Sequence, residues 1–527
     1  MSTEQSAGLW PLEPGARMAG AGPLGRAGRP RWASRLLLAV AMSVLLAQGA
    51  AAAPGLNGIW RMDQPKAFGV TLHSFILLHQ DGARIDGQVI ANGTIPIPIT
   101  GVHMEGPDVV FRIDWGWTFH VRPDGANLKV VVSYDGDGSQ EAVAVPATEA
   151  DTRPPATLPI PALRAVPDNG LARTPPMGWN SWNHFAESVD DTIVRETADA
   201  MVRTGMAAAG YSYVNIDDTW EAGREARGNI VPNRKFPDMK ALADYVHSRG
   251  LKLGLYSSPG PFTCGGYEGS YGHEEGDAKT YAAWGIDYLK YDWCSAGRMY
   301  GVPELRAVYQ KMGDALRGCG RPIVFSLCEY GMGDVWGWGP LVSANLWRTT
   351  GDIQDNWASM CSNGFSQGRL ARYAAPGHWN DPDMLEVGNG GMSAQEYRTH
   401  FSLWCMLAAP LMAGNDLRHM SADSIAILTN REAIAVDQDP QGTQGTRVSG
   451  KGGAEIWVKP LAGGAQAIGL FNRDAAGAEM AFSWAEVGRS AGPASLRDLW
   501  RHEDLVPGGS GFSIRVPGHG VVMLVAR

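Results

Sequence analysis

The chain has 527 residues, of which 44% are hydrophobic and 19% charged, and its formal net charge is −9. This balance is typical of an ordinary soluble globular protein and excludes an extensively disordered chain. The sequence has no Lys/Arg-rich stripe, which argues against nucleic acid as a partner. A chain of this length exceeds one hydrophobic core, so we expect a multidomain protein.

The amino terminus has the pattern of an export signal. Three arginines between 29 and 35 precede an apolar run from 36 to 47, and a stretch of small residues follows. The run is too short to remain as a membrane-spanning helix. The pattern therefore predicts a leader and signal peptide over residues 1–53 and an exported mature protein, periplasmic or secreted, without a membrane anchor.

Two β-rich regions flank the centre of the chain. Short β-type runs separated by Asp-Gly turns predict a small all-β domain over residues 54–150. The turns stand at 81–82, 124–125 and 135–136. A proline-rich linker over 151–173 follows, and short β runs over 438–527 predict a C-terminal antiparallel β-sandwich. We expect the N-terminal domain to pack on the rest of the chain, with polysaccharide binding as the alternative.

Strand and helix patterns alternate over residues 174–437. Eight short buried-strand runs, from 177–182 to 404–412, are separated by segments with helical periodicity. Eight such repeats over about 260 residues predict a (β/α)8 TIM barrel, which we take as the catalytic domain.

Two of the predicted barrel helices have clear local signals. In the first, Val194, Ala198, Met201 and Val202 are predicted to form the apolar stripe that faces the strands. In a later one, Asp238 stands where an N-cap is expected, directly before the apolar period begins.

Polar and aromatic side chains collect at the carboxyl ends of the predicted strands, where TIM barrels place their catalytic groups. They are Trp182, Asp217, Asp218, Tyr256, Lys290, Asp292, Glu329, Arg348, Asp352, Asp381 and Asp383. A strand-end Asp often only caps the next helix, but capping does not explain polar residues at nearly every strand end. Many hydroxyl-binding groups with aromatic rings, and no phosphate loop, indicate a neutral sugar as ligand and no cofactor.

A metal-dependent barrel enzyme is an alternative with a different sequence signature. It would place His ligands at the strand ends, where only His184 and His378 are near. We therefore expect no metal site.

Seven segments, in chain order, resemble the signature segments of glycoside hydrolase family 27, the α-galactosidase (melibiase) family. They are MGWNSW, NIDDTW, KLGLYSSPG, YLKYDWC, SLCEYG, LWRTTGDI and GHWNDPDML. The resemblance implies a retaining exo-glycosidase that removes terminal α-D-galactosyl residues from oligosaccharides or polysaccharides by double displacement. The alternatives on this fold are a β-L-arabinopyranosidase, an α-N-acetylgalactosaminidase and a non-catalytic sugar-binding protein.

The resemblance implies that Asp292 is the nucleophile and Asp352 the acid/base. A retaining glycosidase needs two carboxyl groups about 5–5.5 Å apart, one ionised and one protonated. We expect Lys290, two residues before Asp292 on one strand, to favour the ionised form of Asp292. The charge of Asp292 is then expected to keep Asp352 protonated.

The resemblance also implies contacts with each part of the sugar. Asp217 and Asp218 are implied to hold O4 and O6, Lys290 to hold O3 and O4, Arg348 and Glu329 to line the O2 side, Trp182 to form a wall near C6, Tyr256 to line the floor and Asp383 to brace Arg348. It further implies a disulfide between Cys264 and Cys294.

Two positions bear on substrate choice. Family members that accept an N-acetyl group at C2 are implied to carry small residues in place of Glu329, so this Glu favours galactose. Tyr330 and Gly331 depart from the Trp-containing turn common in the family at this point, which leaves the outer O2 pocket and the aglycone preference open. L-arabinopyranose, which lacks C6, also stays open, as does the oligomeric state.

Overall fold

The computed structural model describes residues 55–65, 71–114, 116–134 and 138–527. The predicted leader and signal peptide, and the Asp-Gly turn predicted at 135–136, lie outside these residues. Within the described part of the chain, no helix has both the length and the apolar character needed to cross a membrane.

The N-terminal region forms one nine-stranded antiparallel sheet. Its strands are β1 (Gly58–Pro65), β2 (Thr71–Asp81), β3 (Arg84–Ile90), β4 (Ile97–Pro98), β5 (Thr100–Glu105), β6 (Asp108–Arg112), β7 (Trp117–Asp124), β8 (Asn127–Tyr134) and β9 (Ser139–Ala147). They lie in the order β4-β3-β2-β1-β9-β8-β7-β6-β5. Gly82 and Gly125 reverse the chain with positive φ, as the predicted Asp-Gly turns require. Trp60, Phe111 and Val130, on separate strands, join a single apolar cluster, so the sheet curls around its own core.

The centre of the chain forms an eight-stranded parallel sheet. Its strands are β10 (Met177–Asn180), β11 (Tyr213–Asn215), β14 (Lys252–Ser257), β15 (Tyr288–Asp292), β16 (Val324–Cys328), β17 (Leu346–Arg348), β18 (Trp379–Asp381) and β19 (Leu411–Ala413), with a small hairpin of β12 (Glu221–Arg224) and β13 (Ile230–Pro232) outside it. The order is β18-β17-β16-β15-β14-β11-β10-β19. A parallel bridge between Leu385 and Ala413 joins the two ends, so the sheet closes into the predicted TIM barrel.

Helices connect the barrel strands. They are α1 (Trp182–Phe185), α2 (Asp191–Arg203), α3 (Met206–Ala209), α4 (Met239–Ser248), α5 (Glu274–Trp284), α6 (Leu305–Gly318), α7 (Trp357–Phe365), α8 (Ala394–Leu407), α9 (Ala422–Leu428) and α10 (Arg431–Asp437). Asp238 caps α4 by accepting the Ala241 N–H at 2.9 Å, as predicted. The predicted stripe of α2 is wrong at Val202, which is 48% exposed, because it lies roughly 100° around the helix from the centre of the buried stripe.

The prediction for the eighth strand is wrong over its first half. The apolar run 404–412 was assigned to one strand, whereas α8 continues to Leu407 and β19 begins at Leu411. A short apolar run does not distinguish a buried helix from a buried strand by its periodicity. Residues 404–407 are the buried last turn of α8.

The C-terminal region is an antiparallel β-sandwich, as predicted. Its strands are β20 (Thr446–Lys451), β21 (Ala454–Pro460), β22 (Gln466–Asn472), β23 (Ala478–Ser483), β24 (Leu496–Asp498), β25 (Glu503–Leu505), β26 (Gly511–Val516) and β27 (Gly520–Ala526). Six strands form one sheet in the order β20-β21-β22-β27-β24-β25, and β23 pairs with β26. Leu470 from the large sheet and Phe482 from the small one meet in a shared apolar core.

Candidate active site

The carboxyl ends of the barrel strands bring the predicted site residues to one rim. Asp292 and Arg348 are the last residues of β15 and β17, and Glu329 directly follows β16. Asp217 and Asp218 follow β11 by two and three residues. Because all eight strands are parallel, these side chains leave the barrel at the same end.

Asp292 is a buried carboxyl group whose two oxygens each accept a hydrogen bond from a tyrosine. It is only 5% exposed. The Tyr256 hydroxyl donates to Oδ2 at 3.0 Å, and the Tyr330 hydroxyl donates to Oδ1 at 2.8 Å. Tyr256, implied by the resemblance to line the floor near the nucleophile, contacts Asp292 here, whereas the sequence marks Tyr330 only as a departure from the family pattern.

Tyr330 reaches Asp292 because of its backbone conformation. Its φ of 59° is positive, a region that bulky residues seldom adopt. Gly331 follows with φ 84°. The two left-handed residues reverse the chain after β16, and the guanidinium of Arg348 lies 5.5 Å above the Tyr330 ring. The positive φ, and therefore the contact with Asp292, has no signal in the sequence.

Burial controls the ionisation of Asp292. The net pKa of Asp292 is raised to about 6, mainly by desolvation and to a smaller extent by the charge of Asp352. The Lys290 ammonium and the hydroxyls of Tyr330 and Tyr256 act in the opposite direction and lower the pKa. The expected effect of Lys290 is therefore present, but it does not outweigh burial.

Asp352 departs from the expected protonated state. Its side chain is 73% exposed, and Arg348 Nη2 donates to Oδ1 at 2.9 Å. Partial desolvation raises the pKa of Asp352, but the Arg348 guanidinium and the more distant Lys290 outweigh it, and the net shift is downward. The expectation that the charge of Asp292 keeps Asp352 protonated is wrong, because the guanidinium of Arg348 bonds Asp352 directly and favours its ionised form.

Lys290 forms its ion pair with Asp217 and not with Asp292. Its ammonium donates to Asp217 Oδ2 at 2.8 Å, and Asn180 Nδ2 donates to the same oxygen at 2.7 Å. Asp217 also accepts the backbone N–H of Asp218 at 2.9 Å on Oδ1. Asn180 ends β10 within the MGWNSW segment, so its place at a strand end was the available sequence signal for this contact.

Asp218 is held by backbone donors. The Gly265 N–H donates to Oδ2 at 2.6 Å, and the Thr219 N–H donates to Oδ1 at 2.7 Å. Desolvation raises the pKa of Asp218 to about 7, although these bonds and the Thr263 hydroxyl lower it. Gly265 belongs to the chain segment between β14 and α5, so a loop distant in sequence orients this carboxyl group.

Glu329 is a buried carboxyl group without a side-chain donor. It is fully buried, and among the described residues no side chain donates a hydrogen bond to either of its oxygens. Desolvation raises its pKa well above the ordinary value, and the charge of Asp292 adds to this effect. A buried polar group without a partner is costly, so the position is suited to a ligand hydroxyl.

Arg348 links the remaining carboxylates. Its Nη2 lies 3.0 Å from Asp383 Oδ2 as well as 2.9 Å from Asp352. Asp383 has φ 89°, which is strained for a non-glycine residue, and its Oδ2 also accepts the Ile353 N–H at 2.8 Å. Cys328, which carried no role in the sequence interpretation, accepts from Arg348 Nη1 at 3.6 Å.

The remaining predicted residues border this group. Trp182 begins α1 and packs against an apolar cluster that includes Met384 and Met412. The implied disulfide between Cys264 and Cys294 is present, and the Cys294 Sγ lies 3.2 Å from the Tyr256 hydroxyl.

The two histidines considered as metal ligands have structural contacts. His184 packs edge-on against Phe185, with 4.7 Å between ring centroids. His378 precedes β18 at the opposite end of the barrel from the carboxylates, and its Nδ1 lies 3.2 Å from the Ala344 carbonyl.

Family models match most of the chain after the linker. The model described as Alpha galactosidase A matches residues 174–439. The model described as Alpha galactosidase C-terminal beta sandwich domain matches residues 451–526. The first match covers the barrel with all eleven strand-end residues from Trp182 to Asp383.

Individual relatives agree with the family models. An alpha-galactosidase of Cyamopsis tetragonoloba is 50% identical over 369 residues, covering 69% of this chain and 88% of the relative. Alpha-galactosidase A of Cellvibrio japonicus is 46% identical over 381 residues, covering 67% and 92%. The crystal structure of alpha-galactosidase I from Mortierella vinacea superposes with a TM-score of 0.65 at 36% identity, covering 68% of this chain and 98% of that one.

Proposed function

Because the chain belongs to the alpha-galactosidase A family of glycoside hydrolases, we propose that it hydrolyses terminal α-D-galactosyl residues with retention of configuration. The observation that carries the mechanism is the pairing of two unlike carboxyl groups at one rim. Asp292 is buried between two phenol donors, and Asp352 is exposed beside a guanidinium. One is placed to attack a sugar carbon and the other to exchange protons with a leaving group or water.

In the first step, a carboxylate oxygen of Asp292 attacks the anomeric carbon. The glycosidic C–O bond breaks, Asp352 gives its proton to the departing oxygen, and a glycosyl ester of Asp292 forms. In the second step, Asp352 takes a proton from water, the water oxygen attacks the anomeric carbon, and Asp292 is released as carboxylate. The phenols of Tyr256 and Tyr330 stabilise the carboxylate of Asp292 both before attack and on release.

We propose that substrate binding changes the protonation state of Asp352. The Arg348 guanidinium lowers the pKa of Asp352 and so favours its ionised form. The resemblance places Arg348 on the O2 side of the sugar, so a bound O2 hydroxyl competes with Asp352 for the guanidinium. Losing that partner raises the pKa of Asp352, and the negative charge of Asp292 then favours the neutral acid. Binding of the sugar therefore protonates Asp352, which can then act as the general acid.

Buried carboxyl groups supply the specificity for galactose. Glu329 is fully buried without a side-chain donor, and Asp217 and Asp218 are 2% and 1% exposed. A substrate that lacks the hydroxyl facing Glu329 leaves that carboxyl group unpaired. A substrate that lacks O4 or O6 loses charge-assisted hydrogen bonds to Asp217 and Asp218, which cost more to lose than an apolar contact. These residues therefore favour galactose over sugars that differ at O2, O4 or O6.

The test is the release of p-nitrophenol from α-D-galactopyranoside, β-L-arabinopyranoside and α-N-acetylgalactosaminide. We expect the galactoside to react fastest and Asp292→Ala to lose on the order of 10⁴-fold in kcat. Asp244→Ala, an exposed aspartate on α4, is the matched control and should keep wild-type activity. Faster release from the arabinoside would indicate that the enzyme is a β-L-arabinopyranosidase with the same mechanism. No release from any of the three would contradict the enzyme and favour a silent sugar-binding protein.

The acid limb of the pH profile tests the role of Asp292. Because its pKa is about 6 and the ionised form attacks, kcat/KM should fall as the pH drops through about 6. Tyr330→Phe removes a donor to the carboxylate, so the limb should move to higher pH. Tyr245→Phe on the outer helix α4 is the control and should leave the limb in place.

We also propose that the mature protein is exported. The pattern over residues 1–53 is that of a signal peptide, and the Cys264–Cys294 disulfide is of a kind that persists in oxidising compartments. Expression of the full chain followed by intact-mass measurement of the extracytoplasmic fraction should find a species that lacks about 50 residues. A full-length chain confined to the cytoplasm would contradict export.

A further inference from the structure

The N-terminal domain touches the barrel beside the sugar site. The turn between β3 and β4 lies on residues 260–270, the loop that connects β14 to α5. A Cβ at Gly93 would come within 2.7 Å of the Phe262 ring, and a Cβ at Gly266 within 2.9 Å of Asn92 Cγ. Because Gly93 and Gly266 have no side chain, the backbone of each segment can approach a side chain of the other segment. A larger residue at either position would prevent this approach.

Asn92 makes the polar contact across this junction. It is 6% exposed, and its Nδ2 donates to the Cys264 carbonyl at 3.2 Å. A backbone carbonyl only accepts hydrogen bonds, so the nitrogen of the side-chain amide must face it. The backbone of Asn92 has φ 51°, a conformation that asparagine adopts more readily than most residues.

The peptide group that Asn92 holds is the one that binds Asp218. The carbonyl of Cys264 and the N–H of Gly265 belong to the same amide, and that N–H donates to Asp218 Oδ2 at 2.6 Å. A hydrogen bond to the carbonyl polarises an amide and strengthens donation by its N–H. Asn92 and Asp218 therefore lie at the two ends of one amide unit.

Other restraints fix the position of this loop without contacting that amide. The Cys264–Cys294 disulfide ties it to the loop after β15. The Phe262 N–H donates to Ser295 Oγ at 2.9 Å, and Ser295 Oγ donates back to the Phe262 carbonyl at 2.7 Å. The Gly266 N–H donates to the Thr263 carbonyl at 3.0 Å and closes a turn around the 264–265 peptide. Such a turn accepts two orientations of its central peptide plane, so Asn92 selects between orientations that the disulfide and the turn both permit.

We propose that Asn92 of the N-terminal domain is a positioning residue of the sugar site. By holding the 264–265 peptide, it keeps the Gly265 N–H on Asp218 and aims that carboxyl group at the hydroxyls of the bound sugar. The N-terminal domain is then a working part of the binding site, although the family model begins only at residue 174. This inference rests on the proposed binding of galactose by Asp218.

The first experiment compares kcat and KM of the wild type and Asn92→Gly in the full-length protein. Glycine relaxes at φ 51°, so the variant removes the side chain without straining the backbone. We expect KM to rise about 3- to 10-fold with kcat within about twofold, because loss of one hydrogen bond weakens ground-state and transition-state binding alike. An unchanged KM would overturn the proposal.

Two further variants separate positioning from a general structural role. Asn92→Asp keeps size and shape but cannot donate when ionised, so KM should rise at least as much. Asn57→Gly makes the same substitution in the same domain, where the amide bonds Gln80 and no other described residue, and should leave KM unchanged. A KM rise shared by Asn57→Gly would show that loss of domain stability is the cause and overturn the proposal.

A double variant tests whether Asn92 acts through Asp218. In the Asp218→Asn background, Asn92→Gly should add less than about a twofold change in kcat/KM, because the two effects share one pathway. Multiplicative effects would overturn the proposal. Calorimetric titration with galactose repeats the comparison without turnover: equal affinities of wild type and Asn92→Gly would overturn it. A wild type that binds galactose without hydrolysing it would overturn the proposed function alone.

Discussion

The two β domains that flank the barrel are joined to it by different kinds of contact. Phe471, Met523 and Val525 of the C-terminal sandwich belong to the same buried apolar cluster as the barrel helices and strands. Phe471 packs edge-on against Phe365 of α7 at 5.5 Å. The apolar core of the N-terminal domain, in contrast, contains only residues between 56 and 144.

The N-terminal domain and its linker meet the barrel through hydrogen bonds and a few apolar contacts, such as Ile160 on the barrel core and Gly93 against the Phe262 ring. The Leu158 N–H donates to the Tyr271 hydroxyl at 2.9 Å, and the Tyr300 hydroxyl donates to the Leu158 carbonyl at 2.9 Å. Asn92 adds the bond to Cys264 next to the site. Apolar burial contributes most of the free energy of such junctions, so the C-terminal domain is expected to serve stability. We expect the N-terminal domain to contribute less to the stability of the barrel than the C-terminal domain does, and to act on sugar binding through Asn92.

The largest effect is expected from Phe471→Ala. The side chain is fully buried in the shared core, so its loss should cost about 3–5 kcal/mol of unfolding free energy. Because barrel and sandwich share this core, urea denaturation should show both unfolding earlier in a single transition. A separate early transition confined to the sandwich would contradict the shared core.

The matched substitution in the N-terminal domain is Phe111→Ala. Phe111 is also fully buried and stacks on Phe119 at 5.1 Å, so the local cost should again be about 3–5 kcal/mol. Since this core is separate from that of the barrel, we expect an early transition of the N-terminal domain and an unchanged main transition. KM should rise at temperatures where that domain is unfolded. A main transition that shifts as much as in Phe471→Ala would remove the contrast between the two junctions.

The sequence predicts the barrel and its rim well because both depend on local patterns. Strand-end positions such as Asp292 and Arg348 follow directly from buried-strand runs, since a run fixes which residue is last. The division of residues 404–412 between α8 and β19 was missed because a short apolar run suits either element.

Contacts between segments that are distant in the chain could not be predicted from local sequence patterns. The bond of Tyr330 to Asp292 depends on a positive φ at a residue that seldom adopts it. The pairing of Lys290 with Asp217 instead of Asp292 depends on the reach of a side chain across the barrel. The contact of Asn92 with Cys264 joins residues of two domains that lie 172 positions apart in the chain, and no local pattern encodes such a pairing.

The smallest effect concerns the pH dependence of the C-terminal junction. Asp437 ends α10 and is fully buried, and the charge of Lys459 on β21 acts on it. Desolvation raises the pKa of Asp437 from 3.8 to about 8, although Lys459 and the Gln438 amide lower it. The folded state therefore binds this proton more tightly than the unfolded state does. Stability from this group is complete below pH 4 and is lost as the pH rises through about 8.

Asp437→Asn should remove this contribution to the pH dependence. Between pH 5 and pH 8, the wild type should lose about 2–4 kcal/mol of unfolding free energy more than the variant does. Urea denaturation at the two pH values measures the difference. Asp244→Asn, on the exposed face of α4, is the control and should follow the wild type. Equal losses in wild type and Asp437→Asn would mean that the carboxyl group already ionises without cost inside the junction, and that apolar packing alone holds the C-terminal domain.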